Sequence, residues 1–193
     1  MNSRIFSLKK VSALLLFFLS SSLLSFEGEK YSLEEVSKVL KAIDKIRSES
    51  LEESKRPRKI FITEKELNSY IAYRIETEKE EITREISLRL FEENKIEGKI
   101  VIDLRDQEIP KFLKPEMNFY LAAKLEVQNG KARLDIKKLF LENQPVPPLL
   151  LDLVIYISAK LEKTQASSIN DWYELPYGID DIETHLGWVS ISY

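Results

Sequence analysis

PPLLLDLVIYISAKLEK, Pro147 to Lys163, is the most apolar run of the chain outside residues 1–25, and the way it folds decides the architecture. On a helix, Leu150, Val154, Ile157 and Leu161 share one side, and Leu151 and Ile155 widen the apolar arc past a half-circle. The one continuous polar stripe left is Asp152, Tyr156, Lys160 and Lys163. Val154 to Ile157 is also good strand material. Helix is preferred, because Pro147 and Pro148 suit a first turn and the run is longer than most buried strands. Such a helix is too short and too interrupted to cross a bilayer, so it needs a partner that wraps around it.

The segments upstream supply that partner. Ile82, Ile86, Leu88 and Leu90 alternate with polar residues, and so do Ile96, Ile100, Ile102 and Leu104 after the turn Glu92-Glu93-Asn94-Lys95. In the next strand Met117, Phe119, Leu121, Ala123, Leu125 and Val127 all point one way. Asn129-Gly130 closes a hairpin. The return strand carries Ala132, Leu134 and Ile136 in one phase, then Leu139 and Leu141 in the other, so Lys137-Lys138 marks a β-bulge that bends it. The expected fold class is α+β: a long, curved antiparallel sheet wrapped around one or two helices, preceded by an N-terminal amphipathic helix.

That first helix is expected over residues 31–53. Val36, Val39, Leu40, Ile43 and Ile46 recur at helical spacing, and Ser32 with Glu35 reads as a capping box. A basic linker, residues 54–59, follows; its cations suit either a solvated connector or contact with anionic headgroups. Ile60 to Ile62 is a short strand, and Thr63 with Glu66 forms a second capping box starting a helix with Leu67, Tyr70, Ile71 and Ile75 on one face. At the far end, Val189, Ile191 and Tyr193 form a last strand that pins the terminus in the sheet.

Residues 1–25 have the layout of a secretory signal peptide: Arg4, Lys9 and Lys10, then apolar Val11 to Leu19, then Ser20, Ser21, Ser22 and Ser25. An uncleaved N-terminal anchor is the second choice. Losing this leader removes three positive and no negative side chains, taking the net charge from -3 to -6. A chain of that sign is a poor nucleic-acid binder by charge. With no cysteine it has no disulfide, thiol nucleophile or thiolate metal site. Its 193 residues, 44% hydrophobic, suit one globular domain, residues 60–193, behind the first helix and linker.

No catalytic constellation stands out. His185 is the only histidine and is expected in a turn beside Gly187, facing solvent. There is no glycine-rich phosphate loop, and the carboxylate runs Glu78 to Glu81 and Glu92-Glu93 read as solvated. No cofactor or metal is expected. What remains is the apolar interior, which as a filled core is only a core and as a partly open slot would hold an acyl chain, each buried methylene adding about 0.8 kcal/mol. The residues favour the filled core. Between two strands, Lys111-Phe112-Leu113-Lys114 lies bracketed by Pro110 and Pro115. It either covers an open end of the core or forms a groove mouth that dips into a membrane interface.

Ile62-Thr63-Glu64-Lys65-Glu66-Leu67-Asn68-Ser69-Tyr70 resembles the helix start of small exported bacterial proteins related to the tubular lipid-binding (TULIP) superfamily, such as YpmS-like proteins and YceB-like lipoproteins. Pro147-Pro148 and Leu175-Pro176-Tyr177-Gly178-Ile179 look like the counterparts of that group's proline-led second helix and of the turn before its closing strand. The likeness spans residues 60–193. It implies a strongly curved sheet on a helix, a hydrophobic groove that takes lipid, and no catalytic residue. The extra first helix and the missing lipid-attachment cysteine depart from the pattern, and that helix is placed to dock on the groove and shut it.

On this resemblance the expectation is an exported, non-enzymatic protein of the periplasm or cell envelope that binds a lipid or hydrophobic small molecule, with peripheral membrane contact. The expected lining is Ile86, Leu88, Ile100, Ile102, Phe119, Leu121 and Leu125 from the strands, Leu67 and Ile71 from one helix, and Leu150, Val154 and Ile157 from the other. Lys111, Phe112, Leu113 and Lys114 mark the mouth. The rival readings are an envelope interaction module with a solid core, and a hydrolase whose carboxylates converge from distant segments.

Overall fold

The computed structural model describes residues 31–50, 57–78, 82–105, 114–161, 165 and 167–193. In chain order the elements are α1 (Leu33–Glu49), β1 (Lys59–Thr63), α2 (Glu64–Thr77), β2 (Thr83–Leu90), β3 (Lys95–Asp103), β4 (Glu116–Gln128), β5 (Lys131–Leu141), β6 (Gln144–Pro145), α3 (Leu149–Leu161), β7 (Tyr173–Glu174), β8 (Asp181–His185) and β9 (Trp188–Ser192). The fold is α+β, with a curled antiparallel half-barrel and a smaller three-stranded sheet.

The half-barrel runs β2-β3-β4-β5-β6, with β7 pairing the opposite end of β5. Asn129 and Gly130, both at positive φ (52° and 70°), make the tight hairpin turn that twists with its strands. The expected bulge is there: Ala122 faces Lys138 while Ala123 faces Ile136, so Lys137 is the extra residue. One inserted residue restores Leu139 to the buried side and steepens the bend of β5. The concave side is filled by large side chains, among them Ile86, Ile100, Phe119 and Leu134, all with almost no exposure.

The nine-residue motif from Ile62 to Tyr70 turns out to be a fastening device. Glu66 N donates to Thr63 Oγ1 (3.2 Å) and Thr63 N to Glu66 Oε2 (2.7 Å), closing the capping box that starts α2. One turn apart, Glu64 and Asn68 reach the free edge of β2. Leu90 N donates to Glu64 Oε2 (2.7 Å), Leu88 N to Asn68 Oδ1 (2.7 Å), and Asn68 Nδ2 to Leu88 O (2.8 Å). An edge strand leaves such groups without partners, and the i, i+4 spacing on the helix matches the i, i+2 spacing on the strand. Tyr70 and Ile71, with no exposure at all, seat the other side of α2 in the core.

Three expectations change. The capping box expected at Ser32 does not form; Ser32 has no side-chain cap bond, because Glu35 is drawn down to Lys65 Nζ (3.0 Å) and Lys38 Nζ (3.2 Å). These two lysines, Lys65 first, hold the Glu35 carboxyl below its usual range. The helix expected over residues 31–53 is Leu33–Glu49, with residues 51–53 outside the described residues. The last strand is not in the main sheet: β9 pairs β1 on one side and β8 on the other. Tyr193 is held at both ends, exchanging backbone bonds with Arg58 and donating its hydroxyl to Glu49 Oε2 (2.8 Å).

The decisive helix exists, and among the described residues one side of it is buried in the core. α3 buries Leu151, Val154, Ile155, Ser158 and Ala159, one stripe at helical spacing. Opposite it, Leu149 is 73% exposed and Tyr156 55%. A strand is disfavoured for this run because an alternating polar face is missing: Leu149 to Leu151 are apolar in succession.

Candidate ligand site

The expected groove residues separate into three groups. Ile71, Ile86, Ile100, Ile102, Phe119 and Leu121 lie in one continuous, buried cluster together with Tyr70 and Met117. Val154 of α3 joins the same cluster, at 1% exposure, and Ile157 packs on it from a half-buried position. This part of the concave side is filled by its own side chains.

Leu67, Leu88 and Leu125 line a second feature, a largely enclosed apolar cavity of about 70 Å³. Its roof is α1, through Val39, Ala42, Ile43 and Ile46, and its far wall comes from the small sheet and the loop before it, through Ile179, Ile182, Val189 and Ile191. Thr184 is the one polar side chain in the lining. It donates from Oγ1 to Phe91 O (2.7 Å) and from its backbone N to Asn94 Oδ1 (2.8 Å). At about 24 cal/mol per Å³ a void of this size costs roughly 1.7 kcal/mol. It is about half the ~150 Å³ that admits a benzene ring, and far short of an acyl chain.

Leu150 lies on the third feature, an open cleft of about 660 Å³ on the uncovered side of α3. Pro147, Leu149, Leu150, Leu153 and Tyr156 form its apolar floor, and Asp152, Ser167, Ser168 and Asp171 form one rim. The rim is tied together. Asp152 accepts from Ser168 Oγ (3.0 and 3.1 Å) and from Ile169 N (2.8 Å), and Asp171 accepts from Ser168 N (2.8 Å). Burial of Ile169 anchors this segment beside the helix. A volume of this size falls within the ordinary range for small-molecule sites. Leu149, Leu153, Tyr156 and the Ser168 rim were not among the expected residues. The signal for Leu149 and Leu153 was the width of the apolar arc, which was expected to be covered wholly by the sheet, and Tyr156 was expected in the polar stripe.

Of the expected mouth, Lys114 is exposed just before β4, and Lys111, Phe112 and Leu113 lie outside the described residues, as do residues 1–25. His185 is not a free turn residue. It sits half-buried on β8, its ring stacked on Trp188 at 3.9 Å between centroids and its Nδ1 3.2 Å from Glu92 Oε2. Among the described residues no group of three or more His, Cys, Asp or Glu side chains is placed to hold a metal. No helix there is long and apolar enough to cross a membrane. The most perturbed carboxyl, Asp103, is held far below the usual range by the side chain and backbone N–H of Arg105, then by Arg84, an ion cluster at the end of β3 away from both apolar spaces.

Comparison with models of known protein families gives no match, and comparison with curated proteins gives none either.

Proposed function

We propose that the chain is an exported, non-catalytic protein of the cell envelope that binds a lipid or other hydrophobic ligand along the uncovered side of α3. The observation that carries this reading is the 660 Å³ cleft floored by Leu149, Leu150, Leu153 and Tyr156. Apolar side chains in that number on one exposed helix face mark a binding surface rather than ordinary surface scatter. An alkyl chain laid on them gains about 0.8 kcal/mol per methylene removed from water. The leader-like residues 1–25 and the resemblance to lipid-binding envelope proteins point the same way.

A second reading has its own support. The filled concave side, with Phe119 and Tyr70 fully buried, suits an interaction module with a packed core, in which the face of α3 receives another protein. Native mass spectrometry of the purified protein, with solvent extraction of any bound material, separates the two. A bound amphiphile lost in Leu149→Ser and Tyr156→Ser, two exposed positions whose replacement spares the fold, supports the ligand. A protein that is empty, and takes up no fluorescent fatty acid, overturns it in favour of a protein partner.

A further inference from the structure

We propose that the cavity beneath α1 is a second, separate binding site, one that takes a small uncharged hydrocarbon group such as the end of an alkyl chain. It shares no lining residue with the cleft on α3, so it stands or falls apart from the reading above. Its chemistry follows from what the walls lack. The lining is aliphatic apart from Thr184, whose hydroxyl proton is already given to Phe91 O and whose backbone N–H is given to Asn94. A water molecule needs two to four polar partners, and the lining side chains offer it at most the acceptor left on Thr184 Oγ1, so the space stays dry. A ligand group bearing an acceptor or a charge would arrive unpaired and is excluded on the same ground, and a donor would have only Thr184 Oγ1 to meet. A methyl or short methylene segment loses nothing by entering and restores the van der Waals contacts that the lining side chains lack.

The volume has a specific origin. α1 presents Val39, Ile43 and Ile46 to the sheets, and between them, on the same packing face, stands Ala42, buried at 6% exposure and the smallest side chain of that face. The opposing residues are mostly β-branched, stiff at their first side-chain torsion, and do not swing in to close the gap. The loop before β8 seals the C-terminal end of α1: Gly178 stands so close to Ser50 that an added Cβ would lie 1.9 Å from its Oγ.

The test is a titration of the full chain, followed by methyl carbon–proton spectra, first with xenon and then with dissolved n-butane. Saturable shifts at the methyls of Val39, Ile43 and Leu125 are expected with both. Two independent fills, Ala42→Leu from the helix and Val189→Ile from the small sheet, each weaken the response at least tenfold, so the result does not depend on one variant folding. Leu149→Ser, in the other cleft, leaves it unchanged. Shifts with xenon but not with n-butane, filled variants that respond like the parent, or shifts confined to Leu149 and Leu153 would each overturn the assignment.

Discussion

Replacing Asn68 tests whether the motif at the start of α2 is a fastening for the sheet. Asn68 spends its whole side-chain amide on one residue, donating to Leu88 O at 2.8 Å and accepting from Leu88 N at 2.7 Å. Asn68→Leu keeps the size, raises the helix propensity by a few tenths of a kcal/mol and removes both bonds. Each bond contributes about 1 kcal/mol net, and each strand group left unpaired in a half-buried place adds up to a further ~1 kcal/mol, giving about 3 kcal/mol in all. For a chain of this length that lowers Tm by about 6–12 °C, read by circular dichroism and by urea unfolding with an unchanged slope. Hydrogen exchange adds a local readout, because the Leu88 amide should lose protection ahead of its neighbours. Asn68→Asp sharpens the test. Its carboxylate can still accept from Leu88 N but faces Leu88 O with like partial charge, so the neutral form is favoured in the fold. The penalty is therefore small below pH 4, where the introduced carboxyl is protonated and can donate, and grows as pH rises. A stability within about 0.5 kcal/mol of the parent for Asn68→Leu, or no pH dependence for Asn68→Asp, refutes the fastening.

Two further outcomes follow from the packing. Gly178 sits at φ 91° against Ser50; Gly178→Ala combines left-handed strain with a collision, costs about 2 kcal/mol or more, and should free the last turn of α1, seen as faster exchange of the Ser50 amide that now bonds Ile46 O. Asp103 is ionised in the fold far below its ordinary range because Arg105 and Arg84 surround it. A lowered folded pKa contributes stability that is fully present above the unfolded value and is lost progressively as the pH falls from there through the folded value, so Asp103→Asn should destabilise at pH 7, and the gap to the parent should begin to narrow below about pH 4 and keep narrowing as the acid is increased. Parallel pH curves for the two proteins would show that the ion cluster contributes nothing to the fold.

The local signals were legible for a physical reason: each is written within a few residues. A capping box needs Thr63 and Glu66, a tight hairpin needs Asn129-Gly130, and a bulge shows where the phase of Leu134 and Ile136 gives way to that of Leu139. Where a local pattern had a distant competitor, it lost. Ser32 and Glu35 have the right spacing for a cap, yet Glu35 found Lys65 on another helix, and a charged partner outweighs a backbone amide at a solvated helix start.

The chain alone determined that the fold is a bent antiparallel sheet on helices and that Leu149–Leu161 is a helix whose apolar arc exceeds a half-circle. Only the tertiary structure decided how that helix is covered, because periodicity tells which side chains are apolar and says nothing of what meets them. Leu151, Val154 and Ile155 are buried in the core shared with the half-barrel, and among the described residues no strand covers Leu149, Leu153 and Tyr156. The pairing of Lys59 with Ser192, and with it the small sheet that walls the cavity under α1, joins segments from opposite ends of the domain whose registers carry no mark of each other in the sequence. Both candidate sites therefore arise from which apolar faces the packing fails to cover, a property of the assembled whole.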